Sequence, residues 1–160
     1  MSDKIVFLDI DGVLNRTKQS DDLYYDTFEN NELPLNLDLV DNLKTLIESD
    51  ENIKIVWSSD WGIFNELKWK KWLNPRIWLE SQFWLKDKII GITPRKMSSE
   101  HYHNIKWWLD EHAEIKRYVI LEDSYFPENW FGLEKHLIQI DSSKGFDKNE
   151  LLKAMFILKN

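Results

Sequence analysis

The chain has 160 residues, 42% of them apolar and 14% aromatic, and carries a formal charge of −7. That length suits one domain, 1–160, with room for a proper core, and the composition argues against disorder. The absence of cysteine excludes a disulfide framework and a thiolate nucleophile, and the acidic balance argues against broad, sequence-independent nucleic-acid affinity.

Met1-Ser2-Asp3-Lys4 leads directly into an apolar run, Ile5-Val6-Phe7-Leu8, expected to be a buried strand with no signal peptide before it. No apolar run approaches the roughly 20 residues needed to span a bilayer, so no membrane partner is expected and the expected location is the cytoplasm. The first strand runs into Asp9-Ile10-Asp11-Gly12-Val13-Leu14-Asn15. Two acids at i, i+2 repel unless something cationic lies between them. An Asx-Gly turn would account for Asp11-Gly12 alone. Acids closing a buried strand, at the sheet edge where α/β folds bind ligands, point further, to a site for a metal and an electrophile.

Arg16 to Leu35 is polar and acidic and reads as a loop or small flap. Leu37, Val40, Leu43, Leu46 and Ile47 recur at helical spacing behind Asn36 as cap, with a stop near Ser49-Asp50. Ile53-Lys54-Ile55-Val56-Trp57 is a second strand ending in Ser58-Ser59-Asp60-Trp61-Gly62. A helix is expected from about Ile63 to Leu73, stopped by Asn74-Pro75; Arg76 to Lys88 is aromatic-rich and carries no clear assignment. Lys88-Ile89-Ile90 is a short strand before Thr93-Pro94-Arg95, and Ile105, Trp108, Leu109 and His112 mark a helix from Ser99 to His112. Tyr118-Val119-Ile120-Leu121 is another buried strand, followed at once by Glu122-Asp123. Leu137-Ile138-Gln139-Ile140 is the last. Asp147 with Glu150 starts a terminal helix in the manner of a capping box, carrying Leu151, Leu152, Met155 and Phe156. Strands alternating with helices predict an α/β domain with a mainly parallel sheet.

Two further clusters invite a functional reading. Lys68, Lys70, Lys71 and Arg76 interleave with Trp69, Trp72 and Trp78, a pattern that would grip a single strand. A helix burying Trp and solvating Lys explains it as well, and that reading is preferred. His101, His103 and His112 suggest zinc only superficially: i, i+2 residues leave a helix on different sides, and no cysteine is present.

The pattern Asp9-Ile10-Asp11-Gly12-Val13-Leu14-Asn15 resembles the first motif of the haloacid dehalogenase (HAD) superfamily. The resemblance, which extends from Ile5 to about Met155, implies a Rossmann-like three-layer sandwich with the site at the carboxyl edge of the sheet. It makes Asp9 the nucleophile and Asp11 the general acid/base. A carboxylate attacking phosphorus forms an acyl phosphate that water hydrolyses in an easier second step, while a neighbouring acid protonates the leaving alkoxide and then activates the water. A hard divalent cation, Mg²⁺ foremost, would offset the meeting of two anions. Ser59, or alternatively Ser58, corresponds to the second motif and would hold a phosphoryl oxygen. Glu122-Asp123 resembles the fourth, making Asp123 a metal ligand beside Asp9 and Asp11, with Glu122 as its water-mediated or supporting partner.

The third motif fits least well. Where similar proteins carry a basic residue one helical turn before an Ile that leads to Trp-Leu, this chain has His101 ahead of Ile105-Lys106-Trp107-Trp108-Leu109, so Lys96, Arg95 or His101 itself must balance the phosphoryl charge, with Lys96 preferred. An unperturbed His pKa near 6.5 would do this poorly at neutral pH. Neither gap between motifs has room for a large cap domain. The resulting open site suits a phosphate on a nucleotide, a polynucleotide end or another macromolecule, and the nearest patterns include the HAD domain of Swiss Army Knife RNA repair proteins. The expectation is a phosphomonoesterase. The alternatives are a catalytically weak binding protein on the same scaffold, using an exposed Trp-rich surface, and a phosphotransferase or mutase.

Overall fold

The computed structural model describes residues 3–16, 35–59, 74–94, 101–124 and 132–160. Within them lie five strands, β1 (Lys4–Leu8), β2 (Ile53–Trp57), β3 (Ile89–Ile92), β4 (Arg117–Glu122) and β5 (Leu137–Gln139), and four helices, α1 (Leu37–Glu48), α2 (Pro75–Glu80), α3 (His101–Glu111) and α4 (Lys148–Lys159). The strands form one sheet in the order β3-β2-β1-β4-β5, and every pairing is parallel. Parallel strands need crossover connections, which place helices over both faces and leave the central strands apolar on both sides. The residues of β1 show it: Val6 and Leu8 join the core beneath α1 and α4, while Ile5 and Phe7 join the opposite core with Ile105 and Trp108 of α3. Phe7 meets Trp108 edge-on at 5.4 Å, a favourable aromatic geometry.

The strand order reverses beside β1. The chain fills β1, β2 and β3 outward in one direction, then returns to place β4 on the other flank of β1. In open parallel sheets the loops leave such a junction in opposite directions and open a crevice above the carboxyl ends. Lys4 to Leu8 of β1 pair in register with Lys4↔Arg117 through Leu8↔Leu121 on β4. Asp9-Asp11, which follow β1, and Glu122-Asp123, which close and follow β4, therefore emerge side by side at that crevice.

Most expected elements stand within a residue or two of their places. The helix expected over Ile63 to Leu73 and the start of the one expected from Ser99 lie outside the described residues. Asn74-Pro75, expected as the stop of the helix over Ile63 to Leu73, starts a further one. The Asn74 side chain accepts hydrogen bonds from the backbone N–H groups of Arg76 and Ile77, and Pro75 takes the first helical position, where its missing N–H costs nothing. Asn36 flanks α1 as expected, yet its side chain serves Arg16, accepting that residue's backbone N–H at 2.8 Å. On α4, Asp147 caps as read, accepting from Asn149 and Glu150; the Glu150 carboxylate pairs instead with Lys153. The buried stripe of that helix is Leu151, Ala154 and Leu158. Leu152 and Phe156, expected to share it, are 64% and 70% exposed.

No helix among the described residues is long and apolar enough to cross a membrane, and those residues form no separate cap domain.

Candidate active site

Two backbone hydrogen bonds extend the ladder one step past the strands and hold the site's polar residues in line. Asp9 N–H donates to the carbonyl of Leu121 at 3.2 Å, and Ser58 N–H donates to that of Leu8 at 3.0 Å. Asp9, Ser58, Ser59 and Glu122 are all buried. Burying a carboxylate is costly unless it is paired or hydrogen-bonded, so each acid's surroundings decide its chemistry.

Asp9 Oδ1 accepts the backbone N–H of Ile10 at 2.7 Å, which fixes the side chain. Its other oxygen lies 4.0 Å from His101 Nδ1. His101 Nδ1 lies 2.5 Å from Glu122 Oε2, so the ring nitrogen and the carboxyl group share a hydrogen bond. Asp9, His101 and Glu122 each present one ligand atom, and these atoms lie within 4.8 Å of one another. His101 reaches them because α3 returns the chain between two parallel strands, which puts its first turn at the carboxyl edge of the sheet. His101, Ile105 and Trp108 fall on one helix face; the last two bury against β1, so the same face that packs the helix delivers the imidazole.

Asp11 and Asp123 stand beside this group. Asn15 Nδ2 donates to Asp11 Oδ1 at 3.0 Å, while Asn15 Oδ1 accepts the N–H of Gly12 at 2.8 Å. The turn thus closes on itself and orients the acid. Asp123 lies over Gly12, so close that a Cβ at position 12 would fall 2.1 Å from Asp123 Oδ2. Gln139 Nε2 donates to the carbonyl of Asp123 at 2.6 Å and steadies it from β5.

Crowded acids raise one another's proton affinity. Burial first, then the Glu122 and Asp11 carboxylates, hold Asp9 well above the usual carboxylate range, against the opposing pull of His101. Burial, Glu122 and Asp11 push Asp123 up to about 6. Both acids bind protons more tightly folded than unfolded, so with a chelator present the protein loses stability as pH climbs from about 4 through about 6. Thermal melts are expected to show Tm falling over that interval, and Asp123→Asn to flatten the fall; an unchanged slope in the variant would contradict the electrostatic account. Excess negative charge, buried oxygen donors and an imidazole nitrogen on one spot fit a divalent cation.

Of the residues singled out from the sequence, Asp9, Glu122 and His101 come together, and Asp11 and Asp123 flank them. Ser58 and Ser59 both close β2, and Ser58 Oγ is buried with no hydrogen-bond partner among the described residues. Lys96 and Arg95 lie outside the described residues, as do Lys68, Lys70, Lys71, Trp69 and Trp72. The three histidines do not converge as a zinc site. His103 is exposed, and His112 donates through Nδ1 to the carbonyl of Trp108 at 2.8 Å while stacking on its ring. Sequence reasoning gave no role to Asn15 or Gln139. The first was signalled by its place at the end of the Asp9 to Asn15 motif, and the second by nothing local.

The family described as the HAD domain in Swiss Army Knife RNA repair proteins matches residues 5–151. Among curated proteins and among solved structures nothing matches. With most of the chain covered, the acid pairs at the switch point of a parallel sheet and this match agree, and the chain belongs to the HAD domains of Swiss Army Knife RNA repair proteins, within the HAD superfamily.

Proposed function

We propose that the protein is a divalent-cation-dependent phosphomonoesterase working through an aspartyl-phosphate on Asp9. The observation that carries this reading is the convergence of Asp9, His101 and Glu122 at the carboxyl edge, their ligand atoms within 4.8 Å of one another. Asp9 is fixed through Ile10 with its second oxygen turned toward that space. This oxygen attacks the phosphorus of a monoester, forming the O–P bond of an acyl phosphate as the ester oxygen departs. Asp11, held by Asn15, gives its proton to that leaving oxygen. It then takes a proton from water, whose oxygen attacks the acyl phosphate and releases inorganic phosphate with Asp9 restored.

Ser59, or Ser58, holds a phosphoryl oxygen, and the cationic role beside the phosphoryl group falls to Lys96 or His101. Asp9, the backbone carbonyl of Asp11, and Asp123 would hold the cation, with Glu122 behind them; a bound ion, Mg²⁺ by resemblance to the family, supplies the charge that lets an anionic nucleophile meet an anionic phosphate. A phosphate carried on a nucleotide, a polynucleotide end or another macromolecule is the proposed substrate class, because the described residues build no cap domain over the site.

Phosphate release from p-nitrophenyl phosphate and from 3′- and 5′-phosphorylated oligonucleotides tests the reading. Release is expected with a divalent cation and is expected to stop with a chelator. No release from any of these substrates with cation present would contradict it.

A further inference from the structure

We infer that His101 is itself a metal ligand, so that the site takes a nitrogen-accepting divalent ion such as Mn²⁺ more tightly than Mg²⁺. The inference rests on the phosphomonoesterase reading for the existence of the metal site and concerns which atoms make it. Three facts carry it. His101 Nδ1 faces both acids at once, 2.5 Å from Glu122 Oε2 and 4.0 Å from Asp9 Oδ2. The imidazole is largely buried, its side chain 15% exposed, and Glu122 beside it is fully buried, so the ring does not swing into solvent. The sequence places a histidine, and not a lysine, at the head of α3.

The difference between those residue types decides the chemistry. A lysine ammonium has donors only and enters an acidic site as a charge. A neutral imidazole has a lone pair. The proton shared by His101 Nδ1 and Glu122 Oε2 must leave before an ion can bind both atoms, and Asp9 Oδ2, 4.0 Å from the same nitrogen, is near enough to join them. An ion replacing that proton gains the imidazole nitrogen and oxygens of Glu122 and Asp9, which moves Glu122 from behind the cation into direct contact with it. Mg²⁺ demands near-ideal octahedral oxygen coordination, whereas imidazole suits later first-row ions, and affinity at mixed nitrogen and oxygen sites rises from Mn²⁺ onward. Mn²⁺ accepts both donor types, and with His101 committed to it the cationic role beside the phosphoryl group passes to Lys96.

Titration calorimetry of the full chain with MnCl₂ and with MgCl₂, and electron spin-echo spectroscopy of the Mn²⁺-loaded protein, test this. The expected results are tighter Mn²⁺ than Mg²⁺ binding and a ¹⁴N coupling from the wild-type site. His101→Gln is expected to lose the coupling and about 10- to 100-fold in Mn²⁺ affinity, with circular dichroism unchanged. His101→Lys, which restores a cation without a lone pair, is expected to bind Mn²⁺ no better than His101→Gln. Wild-type Mn²⁺ binding with no nitrogen coupling would overturn the ligand role and leave the phosphomonoesterase reading standing. Failure of the wild type to bind either ion would overturn both.

Discussion

Asp9→Asn is expected to lower phosphate release by about three orders of magnitude or more, as deletion of a covalent nucleophile does, while leaving a protein at least as stable as the parent. The second half of that expectation separates chemistry from folding. The substitution is nearly isosteric, and an amide oxygen still accepts the Ile10 N–H that Asp9 Oδ1 holds at 2.7 Å. What disappears is a buried negative charge that burial, Glu122 and Asp11 all disfavour. Because the folded-state pKa lies above the unfolded one, the carboxyl group weakens the fold once pH exceeds its unfolded pKa, and its replacement raises Tm at neutral pH when a chelator is present. Cation-induced stabilisation is expected to shrink in the variant, since a ligand is lost. Thermal melts with chelator and with saturating cation, run beside phosphate-release assays, check all three points. An inactive variant with lowered Tm under chelator would contradict the account of a charge-strained nucleophile.

The second large effect is expected at Gly12→Ala. Gly12 has φ +66°, a left-handed conformation that costs a residue with a Cβ about 1–2 kcal/mol. The added carbon would also fall 2.1, 2.5 and 2.8 Å from Asp123 Oδ2, Cγ and Cβ. No small torsion of the carboxylate relieves contacts to all three atoms, so the Asp123 side chain must leave its place. Activity and cation-induced stabilisation are therefore expected to fall together. Gly132→Ala provides the comparison: φ there is +86°, yet among the described residues nothing lies within 4 Å of the added carbon. It carries the backbone cost alone, and its activity is expected to stay near the parent's. Equal losses of activity in the two variants would show that backbone strain, and not displacement of Asp123, is responsible.

What could be read from the residues divides along the range of the interactions. The apolar approach of β1, the acids after it and the Glu122-Asp123 pair at the end of β4 are local patterns, and parallel pairing carries them to one edge without further information. Asn74-Pro75 is local too but ambiguous. Asparagine before proline ends one helix as readily as it begins another, and the cap made by the Asn74 side chain is visible only in three dimensions. On α4 two apolar stripes lie side by side in the sequence. Packing chose the one with Ala154, whose small side chain lets the helix lie close on β4 and α1, and left Leu152 and Phe156 outward. The contact between His101 and Glu122 spans 21 positions. Neither residue's neighbours announce it, so the residue expected to be a poor substitute for a lysine emerges as the one facing both acids.

The most direct test of the account is chemical trapping on Asp9. The protein is mixed with a phosphomonoester and divalent cation, quenched with borohydride and digested for peptide mass spectrometry. An acyl phosphate is reduced to the alcohol, so position 9 is predicted to appear as homoserine, with no such product when substrate is omitted. Phosphate release at full rate with Asp9 recovered unmodified would contradict the claim that this carboxylate carries the phosphoryl group.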